Sequence, residues 1–333
     1  LIINAILGVA AVVAFVFREN IRERSTDLDQ ASRPAPALPP IDLLNSSHRK
    51  MKFFLHNLIL FALLSVVFAA ASCQRIVDRP NSEPVNQPNG SPSSQIALLP
   101  YGNPSNAGTD PDNFLLVHRS HTLSYNNSRG TLNWIAWRTT AADLGEKRER
   151  SRFEEDRTLP DSFRRVQYYD YSGSGYDRGH MVPAADRFAD ESLMEETFLM
   201  TNIVPQTGDL NQFPWNKLES YARGIARSGS ELYTIAGVYG EKGRLRGKVT
   251  IPTNCWKVIV IIPRGQNGIT RSTRIIAVDM PNIDGIENEN WQRYQTTVRE
   301  IEQRTGLDLF SAIPRDVQDI IETKTMTASP LKR

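Results

Sequence analysis

The stretch that decides the reading of this chain is SGSGYDRGHMVPAADR, residues 172–187. It opens on alternating Ser and Gly, the composition of a turn, and runs into charged groups around His180. The chain has five histidines. His48 and His56 fall in an apolar N-terminal region, and His118 and His121 on a strand-like stretch. Only His180 lies in a glycine-flanked segment beside charged groups. Gly173 and Gly175 suggest a phosphate loop, but no Lys-Ser/Thr follows them, so a Walker motif is excluded. A single histidine is more often structural than catalytic, so the reading depends on a second segment.

That segment is TNIVPQTGDLNQFPWNKLESYAR, residues 201–223. DRGH at 177–180, followed by N-x3-W-x2-LE at 211–219, resembles the DNA/RNA non-specific endonucleases. The family includes secreted sugar-non-specific bacterial nucleases and mitochondrial endonuclease G. The likeness runs from residue 113 to 314 and takes in Asn133-Trp134, the SGSGYDRGH block, TNIVPQ, NKLE and a late TGLDLF. DRGH alone is a moderate signal; both blocks, in order and at this separation, make a strong one.

The resemblance implies a ββα-metal fold: α+β, a central, mainly antiparallel sheet flanked by helices, His180 ending a strand and Asn211 on the helix that follows. It also implies Mg²⁺ as cofactor, with Mn²⁺ as an alternative, DNA and RNA as substrates and 5′-phosphorylated products. Phosphodiester hydrolysis needs a base for water, a cation for the departing oxygen and donors for the equatorial oxygens. An imidazole titrating near ~6.5 suits His180 as the base. The amide oxygen of Asn211 suits a hard cation that keeps most of its waters.

Glu219 lies eight residues past Asn211, about two helical turns, on the same face. The family pattern makes it an anchor for metal-bound water. Arg223 matches a phosphate-contacting position, and an i,i+4 pair with Glu219 is compatible with that role. Arg178 is expected to contact substrate or metal-bound water. Asp177 either joins the substrate site or holds the loop, and Asn202 either braces the His180 segment or approaches the scissile phosphate. The family's phosphate-clamp arginine, a few residues before F-x-x-D, is blurred here: Arg148, Arg150 and Arg152 all precede Phe153 and Asp156. Spacing favours Arg150.

Upstream, residues 1–17 form an apolar run too short for a comfortable membrane span, and RPAPALPP at 33–40 reads as an extended linker. A second apolar run follows Met51, the first methionine: Lys52, then apolar residues 53–68, then small residues at 69–72. That is the layout of a secretory signal peptide. Cys73 then stands either as the acylated cysteine of a lipoprotein anchored to a membrane or, after ordinary signal peptidase, as a free thiol. Residues 1–50 are expected to be upstream of the mature protein, 51–73 the signal, 74–112 a flexible linker rich in Pro, Asn and Ser, and 113–325 the nuclease domain. Such a protein is exported: secreted, periplasmic or lipid-anchored in the cell envelope.

Within the domain, residues 114–117, 123–125, 132–137, 232–238, 249–251, 256–262 and 274–278 have the β-branched and aromatic content of strands. Helical spacing is predicted over 190–200, 211–227, 291–303 and 317–321, and the charge-dense 143–161 reads as a surface loop. The mixed element order favours α+β over a doubly wound sheet.

Two cysteines give no disulfide framework, and a net charge of +2 argues against binding nucleic acid through bulk charge. Residues 1–73 carry 7 basic and 5 acidic side chains, leaving 32 of each beyond, so the expected mature protein is formally neutral. Binding a polyanion then rests on local placement of Arg150, Arg178, Arg223 and a cation. Two further readings remain open from sequence: an envelope-tethered DNA-uptake protein without catalysis, and a phosphodiesterase for small nucleotides. An inhibitor protein guarding the producing cell is a further expected partner; the oligomeric state is not legible.

Overall fold

The computed structural model describes residues 99–149 and 151–325. The expected upstream segment 1–50, signal peptide 51–73, Cys73, residues 74–98 and Arg150 lie outside the described residues.

Six strands form the central sheet: β1 (Phe114–Val117), β2 (Thr122–Asn126), β3 (Thr131–Thr139), β6 (Glu231–Tyr239), β9 (Asn254–Ile262) and β10 (Arg274–Pro281), in the spatial order β1-β2-β3-β6-β9-β10. Every pairing is antiparallel. The other strands, β4 (Asp177–His180) with β5 (Ile203–Gln206) and β7 (Arg244–Leu245) with β8 (Val249–Thr250), make two small antiparallel ribbons.

Both faces of the central sheet are covered, which explains why its strands read as near-continuous apolar runs. Period-two alternation sorts them cleanly. From β9 and β10, Cys255, Ile259, Ile261, Ile276, Val278 and Met280 face one core with Trp215 and Leu218. Trp256, Val258, Val260, Ile275 and Ala277 face the other with Val298, Ile301, Leu309 and Phe310. The first core carries helix α2 (Asn216–Arg227) and the β4–β5 ribbon; the second carries α3 (Val298–Thr305) and α4 (Arg315–Ile321). The short α1 (Glu191–Glu196) starts where Asp190 accepts from the amides of Ser192 and Leu193.

Several expectations are corrected. The folded body begins by residue 99, not 113. Tyr101 is buried edge-on against Tyr233 at 4.8 Å, and Trp134 Nε1 donates to Ser105 Oγ at 2.7 Å, so residues 99–112 are part of the fold rather than a linker. The single closing helix over 291–303 is two pieces, a 3₁₀ turn at Trp291–Tyr294 and then α3. The break falls where Thr297 caps α3 in a capping box with Glu300. The loop 143–161 is not wholly solvated. Asp156 is buried, 2.9 Å from His118 Nε2, and accepts from Thr201 Oγ1 at 2.7 Å.

Candidate active site

The β4–β5 ribbon is the first half of the site. Its register sets Gly179 against Val204 and His180 against Ile203. A side chain at 179 has no room, because a Cβ there would stand 2.0 Å from Gln206 Oε1. The glycine of DRGH therefore leaves room beside β4 for the buried Gln206 side chain. The imidazole sits between Phe198, edge-on at 4.8 Å, and Phe153, tilted at 5.4 Å. Trp215 Nε1 donates to the His180 carbonyl at 3.4 Å, tying the strand to the helical side.

That helical side begins with one turn at Gly208–Leu210, passes through a π-helical turn at Asn211–Trp215 and continues as α2. Pro214 lies inside the π turn, where its missing N–H cannot serve the regular i→i−4 ladder. The widened turn has a geometric consequence. In an unbroken α-helix eight residues sweep about 800°, some 80° past two full turns. Absorbing about one extra residue brings Asn211 and Glu219 back to within roughly 20° of one another. The shared face expected from simple helical spacing thus depends on this irregularity.

The two segments converge on a cleft of about 950 Å³ lined by Asp177, Arg178, His180, Asn211, Glu219 and Arg223 among others. Asp177 Oδ2 accepts from Asn211 Nδ2 and from Gln212 Nε2, both at 2.9 Å. The carboxylate thereby fixes the flip of the Asn211 amide and leaves its Oδ1 as the group available to a cation. Asp177 thus ties β4 to the π-helical turn through the Asn211 and Gln212 amides.

Glu219 bonds Lys257 Nζ at 2.9 Å. Lys257 is itself buried, its ammonium 4.1 Å from the ring centre of Trp215 and 5.4 Å from that of Trp137. Burial raises the Glu219 carboxyl above its ordinary range, while Lys257 and then Arg223 pull it back. Arg223 bonds Asp186 Oδ1 at 3.3 Å and Ser220 Oγ at 3.1 Å, so its direct acidic partner is Asp186 rather than Glu219. Asp186 is in turn held by Trp137 Nε1 at 3.1 Å and Thr139 Oγ1 at 3.2 Å.

Arg178 donates Nε and Nη2 to the Tyr168 carbonyl at 3.0 and 2.8 Å, with its guanidinium against Phe153 and Tyr171. It reaches the cleft already oriented.

Asn202 is not a substrate contact. It is fully buried, its Oδ1 accepts from the Val182 amide at 2.9 Å, and its Nδ2 donates to Val182 O at 3.0 Å and Thr197 O at 2.7 Å. With its hydrogen-bonding capacity spent on backbone, it braces the residues just after His180. Of the three clamp candidates, Arg148 lines the cleft, donating to Phe188 O at 2.5 Å and lying 3.6 Å from Glu191. Arg152 is exposed outside the lining, and Arg150 is not among the described residues.

Sequence reasoning missed Lys257 and the holding role of Asp186. The signal for Lys257 was present as the single charge within NCWKVIVII. Among the described residues no group of three or more His, Cys, Asp or Glu could hold a metal ion. The cleft lining includes the side-chain oxygens of Asn211 and Glu219, the latter carboxylate bonded to Lys257.

Comparison with known proteins gives one answer. The model of the DNA/RNA non-specific endonuclease family matches residues 101–316. A nuclease of Nostoc sp. is 45% identical over 241 residues, covering 70% of this chain and 87% of its own. Nuclease C1 of Cunninghamella echinulata is 32% identical over 240 residues, covering 67% and 90%. A solved EndoG/EndoGI complex, described as showing the mechanism of EndoG inhibition, contains a similar fold: TM-score 0.57, 27% identity, 71% of this chain and 96% of that one.

Proposed function

Because this chain belongs to the DNA/RNA non-specific endonuclease family, a family of ββα-metal nucleases, we propose that it is a Mg²⁺-dependent endonuclease cutting DNA and RNA with little sequence preference and leaving 5′-phosphates. The observation that carries this reading is the convergence of His180, Asn211, Glu219, Arg178 and Arg223 on one cleft.

The donor set fits a hard divalent cation. One neutral amide oxygen, oriented by Asp177, suits an ion that retains several waters and accepts substrate oxygens in the rest of its shell. When bound, Mg²⁺ supplies charge neutralisation at the departing oxygen and the phosphate. Mn²⁺ shares this preference for oxygen donors.

The chain's own groups supply the remainder. His180, wedged between two phenylalanine rings, takes a proton from the attacking water on an imidazole nitrogen. Arg178 and Arg223 donate to phosphate oxygens from fixed positions, so little reorganisation accompanies the reaction. Glu219 accepts from water beside Asn211 while Lys257 holds it in place. No recognition helix or zinc finger is present in the sequence to read bases, in keeping with contacts confined to the backbone. A protein inhibitor as a partner is part of the same proposal, suggested by the EndoG/EndoGI complex.

The test is incubation with supercoiled plasmid and with structured RNA, in Mg²⁺ and in excess EDTA, followed by end-group analysis. The expected result is cutting of both polymers, abolished by EDTA, with 5′-phosphates on the fragments. Cleavage undiminished by EDTA, or refusal of both polymers, overturns the proposal.

A further inference from the structure

Tyr168 and Tyr169 are the most exposed large hydrophobic residues described, at 54% and 50%, and they are adjacent. Their rings stand 5.5 Å apart at 74°, presenting two differently oriented aromatic faces to solvent. Neither contributes to a core cluster.

The backbone beneath them is firmly held. They begin the 3₁₀ turn Tyr168–Tyr171, which Asp170 closes by accepting from the Gln167 amide at 2.8 Å. Lys248 Nζ bonds the same carboxylate at 2.8 Å, and buried Tyr171 donates its hydroxyl to Ile203 O on β5 at 3.2 Å. The turn is also joined to the cleft, since the Tyr168 carbonyl accepts both hydrogen bonds that orient Arg178. An anchored pair of bare aromatic rings therefore stands one side chain away from a guanidinium that faces the proposed scissile phosphate.

We propose that Tyr168 and Tyr169 form a stacking platform for unpaired nucleobases of the strand held in the cleft, so that this nuclease binds single-stranded DNA or RNA better than duplex. The inference rests on the endonuclease reading and deepens it. The two exposed rings are carried by the same turn whose Tyr168 carbonyl orients Arg178, which places the platform on the structural element adjoining the proposed phosphate contact. Base–aromatic stacking is tolerant of sequence because every base has a π-face, which matches an enzyme without base readout. In a duplex the base faces are already stacked on one another, leaving the tyrosines only sugar and phosphate to touch.

The experiment measures binding of a fluorescent oligothymidylate, and of the same strand with abasic sites, to the full chain in EDTA, where cutting is suppressed. Wild type is expected to prefer the base-bearing strand by about 5- to 150-fold, the range for one stacked base. The double variant Tyr168→Ala/Tyr169→Ala is expected to lose that preference, and Tyr168→Phe/Tyr169→Phe to keep it, because the ring rather than the hydroxyl does the stacking. A wild type indifferent to the missing bases, or an alanine variant that still discriminates, overturns the inference. Wild type that cuts plasmid and RNA while showing no base preference refutes the platform alone. Wild type that cuts neither polymer refutes the endonuclease reading, and the platform with it.

Discussion

At the scale of single residues, the cleft gathers side chains proposed to meet substrate and side chains that hold those in place. His180, Asn211, Glu219 and Arg223 could be named as candidates from the sequence because they stand in two blocks that resemble the family's motifs, and the fold brings them to one cleft. Their supports were not. Asn202 carries the same amide as Asn211, and only burial and three backbone hydrogen bonds distinguish a brace from a ligand. Lys257 is hidden for a different reason: a lysine in a strand is ordinarily a solvated residue, and its role emerges only once both sheet faces are seen to be covered. Removing its ammonium leaves the buried Glu219 carboxylate without its direct ion-pair partner, with only the more distant Arg223 charge to offset its burial. Lys257→Met is therefore expected to cost about 3 kcal/mol, and Lys257→Met/Glu219→Gln less than the sum of the two single changes. Urea denaturation of the four proteins checks the cycle; strict additivity would mean that the pair is not coupled.

At the scale of elements, the strands were the readable part. The near-continuous burial of β3, β6, β9 and β10, with side chains alternating between the two cores, follows from β-branched runs visible in sequence. The π turn at Asn211–Trp215 was not readable, since propensity marks Pro214 as a disturbance without saying whether the helix ends, kinks or widens around it. The break before α3 escaped for a related reason: Thr297 and Glu300 form a capping box inside an otherwise helical pattern. The β4–β5 ribbon gives the most direct test at this level. Gly179→Ala drives a methyl into the Gln206 side chain, 2.0 Å from Oε1 and 2.5 Å from Cδ. The substitution is expected to cost about 1–3 kcal/mol by overpacking and, by displacing His180, to lower cleavage of plasmid more than tenfold. Thermal melting and a plasmid assay on the same preparation check both; Gly179→Ala with full activity would show that β4 need not lie against Gln206.

At the scale of the molecule, net charge is a poor guide and placement a good one. The residues beyond 73 are formally neutral, yet Arg178 and Arg223 face one cleft with Asn211 between β4 and α2. Away from it, a buried cluster of His118, His121, Asp156 and Arg187 ties the β1–β2 loop to the segment preceding β5. Burial, then the charges of His118 and Arg187, hold His121 well below its ordinary value of 6.5. The folded state keeps it neutral while the unfolded chain takes up a proton below ~6.5, so its contribution to stability is complete above that pH and falls as acid is added, by at most ~1.4 kcal/mol per pH unit. Glu302, pushed by burial from 4.5 up to about 7, works in the opposite direction over that interval. The clean readout is therefore the difference between wild type and His121→Leu in denaturant midpoints at pH 7.5, 6.5 and 5.5: the wild-type advantage is expected to shrink with acid, and a constant difference would contradict it. The central claim is that His180 is the base in a cleft completed by Asn211, and single-turnover cleavage of supercoiled plasmid by His180→Ala in saturating Mg²⁺ tests it most directly. The expected result is a rate lower by about 10²- to 10⁴-fold with plasmid binding retained; a rate within tenfold of wild type would contradict the account.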